Sequence, residues 1–301
     1  MTRPRLDHRR AIALMAGTAA LWSMAGVITR QLERAASFEV TFWRSLFAAL
    51  VVGLVLLVER GGLWRPLRAA GWPGLVSGVM WSVMFTCFMV ALTLTTVANT
   101  LIVMSVAPIL TAVLARLFLA EPIAPRTWLA IGLASLGLAW MFGDGLAGGQ
   151  FTGMAVAAAV PLAASINFIL NRHHGDRVDL IPAVMVGGVL SALYTLPFAW
   201  PAVRAGLISG HDLALLAVLG VFQLGLPCVL MVKAARHLAA PEIALLALIE
   251  VLLGPIWAWL GAGEVPAAST LQGGAVVLVA LVWNSQATRR DKAARASVLR
   301  Q

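Results

Sequence analysis

Along almost its whole length the chain alternates long apolar runs with short polar connections, and this alternation narrows its fold more than any other feature. A stretch of about 20 apolar residues crosses the hydrocarbon of a bilayer as a helix, and inside lipid only a helix or a closed barrel satisfies its own backbone. Helical spans are expected at 11 to 29, 38 to 58, 69 to 91, 97 to 119, 127 to 142, 151 to 170, 180 to 200, 212 to 232, 241 to 261 and 268 to 286. With 60% hydrophobic and 12% charged residues and a mean hydropathy of +0.90, the 301 residues leave little over for a soluble domain. The expected class is an all-α integral membrane protein of ten transmembrane helices.

The connections RGGLWRP, AEPIAPR, GDGLAGGQ and NRHHGDRVD are short, so each helix runs antiparallel to the next. Eighteen of the 22 Lys and Arg residues then fall on one side, and only Arg30, Arg34 and Arg204 on the other. Retained positive charge marks the cytoplasmic face, so both termini are expected there. The N-terminal RPRLDHRR imitates a signal peptide with Ser23-Met24-Ala25 as its cleavage site. Retention is expected, because Ala11 to Thr29 is long enough to span and a mature chain would lose one member of the paired topology argued below.

The net charge of +9 is spread through short loops rather than gathered on one domain, so no nucleic-acid partner is expected. Cys87 and Cys228 lie within spans and are read as small packing residues. The patterns HExxH, GxxxxGK[ST] and GxSxG are absent, which removes the warrants for a zinc protease, an ATP-driven pump or a hydrolase. Neither an enzyme nor a cofactor is expected. His173, His174, Asp176 and Asp179 imitate a metal site, but adjacent histidines on a helix diverge by about 100°, and a solvated loop is the expectation.

Shifted by 143 positions, the chain places Glu121 on Glu264, Ala107 on Glu250 and Pro108 on Val251. Five spans per unit oblige the second unit to enter the membrane from the opposite side. Two inverted-topology repeats are therefore expected, over 11 to 142 and 151 to 286. Such repeats allow a midplane site to open to each side in turn.

Within the spans a few residues carry chemistry. Glu250 lies about 14 Å along span nine, near the midplane, where an ionisable side chain faces a cavity or a partner. It is read as binding a substrate ammonium group or carrying a coupling proton, against a structural interhelical acid. Gln223 sits near the middle of span eight with Pro227 one turn on, which leaves the Gln223 carbonyl without its helical donor. Trp22 and Trp81 are placed at similar depth as cavity walls, although Trp81, Phe85 and Phe88 also have the spacing of a packing stripe. Ser23, Ser82, Thr86 and Ser105 are small polar groups at comparable depth that either face substrate or bond their own backbone. Arg44 is within snorkelling reach of the external interface and is read as an ion pair with Glu39, a gate or a carboxylate receptor, the first two favoured. Asn167, Asn171 and His174 share one face and are read as lining a path, with Pro108 and Pro227 as structural breaks, and Gly74 with Gly78 as a close helix contact.

Several of these residues stand in a familiar order: Leu21-Trp22-Ser23, Arg44 in WRSLFAAL, Ala91-Leu92 before TTVAN, Pro108 and Glu121 in PILTAVLARLFLAE, Asn167 and Arg172 in SINFILNR, and Glu250 with Glu264. In that order and spacing the chain resembles the EamA-type ten-helix transporters of the drug/metabolite transporter superfamily, and among them the amino-acid exporters, including the aromatic type. It departs from them at Glu250-Val251, where members often carry Glu-Pro, with Pro255 four residues later. The resemblance implies export of small metabolites from the bacterial cytoplasm. The expected protein is a secondary transporter working by alternating access as a monomer in the lipid bilayer, with an amino acid as its small-molecule substrate. Uptake of another solute, or a non-transporting scaffold or receptor, are the competing classes.

Overall fold

The computed structural model of the chain describes residues 7–35, 37–95, 97–143, 151–175, 177–262 and 267–298. Its regular structure is helical, with no strand among the described residues. In chain order the helices are α1 His8–Trp22, α2 Ala25–Thr29, α3 Ser37–Arg60, α4 Trp64–Leu94, α5 Val97–Met104, α6 Ala107–Phe118 and α7 Pro125–Phe142. Then follow α8 Phe151–His174, α9 Ile181–Arg204, α10 Gly210–Val218, a π-helical segment Leu219–Gly225, α11 Leu226–Ala235, α12 Ala240–Ala247, α13 Ile249–Ala262 and α14 Ala268–Val298. Eight helical stretches among the described residues are long and apolar enough to cross a membrane, and α7 and the apolar Ala268–Asn284 part of α14 fall on the two remaining expected spans.

The spans are less uniform than their apolarity implies. Span one breaks at Ser23-Met24 between α1 and α2, span four at Ser105-Val106 between α5 and α6, and span nine at Leu248 between α12 and α13. At the last two the ladder tightens to a three-residue reach, Ser105 N–H to Ile102 O at 3.1 Å and Leu248 N–H to Leu245 O at 3.1 Å. Those two breaks are themselves 143 positions apart. Pro255 lies inside α13 without ending it, so the bend falls at Leu248 rather than at the proline. The start of span three also differs from the expectation: α4 begins earlier, at Trp64, and turns at Gly71, whose φ of +54° suits a residue without a side chain.

The packing places α9 at the centre of one group, against α3 and α4, while α4 also packs on α8 and α7 runs along α14. The remaining contacts come in corresponding sets. The pairing of α4 with α8, between the halves, has a counterpart in α11 with α1, and that of α5 and α6 with α8 has one in α12 and α13 with α1. Close approach depends on glycine where α9 meets α4, since a Cβ at Gly187 would collide with the Cβ of Trp81. Outward, Leu54, Val58, Leu136, Phe198 and Val279 are exposed, as side chains facing lipid are. Exposed tryptophans stand near the span ends, Trp64 and Trp72 at one face and Trp140 and Trp200 at the other.

Candidate functional site

The breaks in spans one and nine and the π-helical segment of span eight bring polar groups to one interior locus. A π-helical turn inserts an extra residue and redirects the side chains around it. Here the Leu226 N–H reaches back five residues to Val221 O. Pro227 comes next in the chain and adds no donor of its own to this widened turn. The Gln223 side chain acts instead: its Nε2 donates to the Trp22 carbonyl at 3.1 Å, at the end of α1 where that carbonyl has lost its helical partner. Its Oε1 is buried without a donor.

Around this contact the other groups assemble. Ser23 Oγ donates to Ala20 O at 2.6 Å and accepts from Trp257 Nε1 of α13 at 2.7 Å, tying the broken span one to span nine. The Trp22 side chain lies beside Cys228, and both are buried. Glu250 occupies the first turn of α13, beside the free N–H groups and positive end of a half-helix, and is partly exposed. No hydrogen bond or ion pair holds its carboxylate among the described residues. Arg44 is 4% exposed and points inward rather than snorkelling; its Nη1 meets Met89 Sδ at 3.7 Å and its Nε meets nothing. Arg44 and Glu250 act on each other electrostatically, yet no ion pair within 4.0 Å joins them. The backbone of Arg44 is pressed against the π-helical segment, where a Cβ at Gly220 would lie 2.7 Å from its carbonyl.

Other candidates are placed elsewhere. Trp81 is 1% exposed within the core shared by α4 and α9, so it is a packing residue and not a cavity wall. Thr86 Oγ1 lies 2.9 Å from Ser191 Oγ, which also accepts from Ser45 at 2.9 Å, in a hydroxyl cluster linking α3, α4 and α9. The Ser82 and Ser105 hydroxyls bond their own helices at Val79 O and Ile102 O. Asn167 and Asn171 are fully buried and do not line a path: Asn167 Oδ1 accepts from Ser77 at 2.6 Å and Asn171 Nδ2 bonds the Asn167 carbonyl at 2.8 Å. Pro108 stands in the first turn of α6, after the break in span four, and Pro227 in the first turn of α11, where span eight continues out of its π-helical segment. Glu264 and Asp176 lie outside the described residues.

A recess of about 340 Å³ opens away from this locus, at the end of the molecule that carries the α6–α7 and α11–α12 connections. Glu121, Arg126, Arg172, His237, Glu242 and Asn284 line it. Arg172 Nε donates to Glu121 Oε1 at 2.9 Å, and His8 Nε2 stands 3.2 Å from the buried Glu242. At the same end Asp179 receives both Arg60 and Arg236, at 2.7 and 2.9 Å. Between the recess and the interior locus α6 and α12 pack together, whereas α5 and α13 turn to different neighbours. Trp257, Met89 and Glu242 escaped the sequence reading; Glu242, an acid beside Pro241 at the mouth of an apolar run, carried a readable signal.

The chain matches the EamA-like transporter family over residues 9–143 and again over 151–286. It is 27% identical over 253 residues to the pseudopaline exporter CntI of Pseudomonas aeruginosa, covering 81% of this chain and 84% of that one. It is 26% identical over 181 residues to the uncharacterized transporter YdfC of Bacillus subtilis, covering 59% and 58%. A solved structure described only as "Crystal structure of protein" superposes with a TM-score of 0.76 over 91% of this chain and 96% of that one, at 17% identity, a likeness of fold alone.

Proposed function

We propose, on the premise that the chain belongs to the EamA-like transporter family and is a multi-pass membrane transporter rather than an enzyme, that it exports amino acids or similar small metabolites. The export takes place across a bacterial inner membrane by alternating access between two inverted five-helix halves. Both termini are cytoplasmic in this reading. The observation that carries it is Glu250: an unpaired carboxylate at a helix break inside an apolar bundle, opposite a buried arginine from the other half of the chain. Such a group is costly in hydrocarbon and is kept where it meets substrate, ion or proton.

Three further features support the reading. The family match recurs on the two halves, and the breaks at Ser105 and Leu248 and the corresponding helix pairings follow the same 143-residue spacing. Of the two relatives named above, one is an exporter and the other an uncharacterized transporter. The end bearing the 340 Å³ recess is the positively charged one, from which an exporter loads. In proteoliposomes, Glu250→Gln is expected to lower counterflow of the transported amino acid at least tenfold or to abolish its pH dependence. Wild-type flux with an unchanged pH profile would remove Glu250 from the transport mechanism.

A further inference from the structure

Several polar groups in the interior lack partners, and three of them, from different halves of the chain, stand near one another. Arg44 on α3 offers a guanidinium whose one polar contact among the described residues is the Met89 thioether at 3.7 Å. A thioether is a weak acceptor, and a buried arginine left with it alone is a strongly destabilised group. On the facing elements Gln223 Oε1 is a buried acceptor without a donor, and the Glu250 carboxylate has no partner among the described residues. The cation and the two acceptors do not satisfy one another, since Arg44 and Glu250 stay more than 4.0 Å apart. Complementary charges held apart in an apolar bundle form a receptor for something that carries both signs.

We infer that Arg44 receives the carboxylate of a small zwitterionic substrate, whose ammonium group is held by Glu250 and by Gln223 Oε1. The inference rests on the transporter reading above and adds to it the group that selects for a free carboxylate. An amine alone would leave Arg44 uncompensated. An anion alone would answer Arg44 but place its charge near that of Glu250. A molecule bearing both charges on a short scaffold satisfies all three groups at once. Arginine suits the task because its planar fork takes a carboxylate bidentately and it stays charged.

The test uses the full-length protein in proteoliposomes and compares counterflow of L-phenylalanine and L-threonine with that of their carboxamides and decarboxylated amines. Wild type is expected to favour the free acids over the carboxamides at least tenfold, the usual worth of a hydrogen bond to a charged group. Arg44→Gln should cut acid flux by at least tenfold and bring the acid-to-carboxamide ratio within about twofold of unity, whereas Arg44→Lys should keep a preference for the acid. A wild type that moves acid and carboxamide equally overturns the inference, as does an Arg44→Gln variant that folds and keeps the wild-type ratio. If Arg44→Gln does not fold, the wild-type ratio alone decides. Flux of the amines or carboxamides but not of the acids overturns this inference and leaves transport standing. Flux of none of them overturns this inference, and the transporter reading then rests on counterflow of other small metabolites.

Discussion

Asp212 ties the connection between spans one and two to span eight. It is fully buried at the first turn of α10, and its two oxygens accept from the backbone N–H groups of Glu33, Arg34 and Ala35 at 2.9, 2.9 and 3.1 Å. Ser209, the N-cap, accepts in turn from the Asp212 N–H. Removing the carboxylate would orphan three donors, so Asp212→Ala should lower the melting temperature of the detergent-purified protein by several degrees. Asp212→Asn, which keeps one carbonyl oxygen, should lower it less; equal melting of all three proteins would show the loop is anchored otherwise. At this scale the sequence was informative about which residues were unusual and poor about their directions. Glu250, Gln223 and Arg44 stand out as polar groups in apolar runs, but where Arg44 points depends on tertiary packing against the π-helical segment. Trp81 shows the converse, since an aromatic in mid-span reads the same from sequence whether it faces a cavity or, as here, a glycine of α9.

Elements meet at distances that small residues set. The extra residue in Leu219–Gly225 turns Gly220 onto α3, where a Cβ would collide with that of Phe47 and press on the Arg44 carbonyl. Gly220→Ala should therefore cost about 1 to 3 kcal/mol and lower the melting temperature. Gly132→Ala on α7, where a Cβ would meet nothing within 4 Å, should raise stability by about 0.5 to 1 kcal/mol through helix propensity alone. Thermal melts of the two variants beside wild type separate packing from propensity, and similar shifts in both would dismiss the close contact. The breaks were mostly illegible beforehand. Pro108 marks span four, but neither Ser23-Met24 nor Leu248 carries a proline or glycine, so those interruptions come from the surrounding bundle and not from local propensity. The π-helical segment has Gly220 and Gly225 at its edges, a pattern compatible with an ordinary helix.

For the whole molecule the apolar run lengths locate eight spans among the described residues to within a few residues at most of their ends, because a membrane fixes the length of what crosses it, whereas α14 runs on to Val298, well past the end expected for the last span. The proposed orientation rests on charge, and it is open to a direct check. A C-terminal fluorescent-protein fusion should fluoresce and a C-terminal alkaline phosphatase fusion should be inactive, both in the inner-membrane fraction; the opposite pair of results would invert the topology. Cohesion of the loop-bearing end owes much to Asp179, which joins α3 and α11 through Arg60 and Arg236, and to the Lys233 and Glu59 pair at 3.1 Å. Finally, the interruptions at Ser105 and Leu248 sit in two spans that pack on each other through α6 and α12. At each joint the backbone bond tightens to a three-residue reach, 3.1 Å in both, so the two parts of the span meet at a tight turn rather than along an unbroken ladder. A substitution that stiffens only one joint would then act as a bias on a balance, slowing one half of the transport cycle while leaving the return stroke nearly at its own rate.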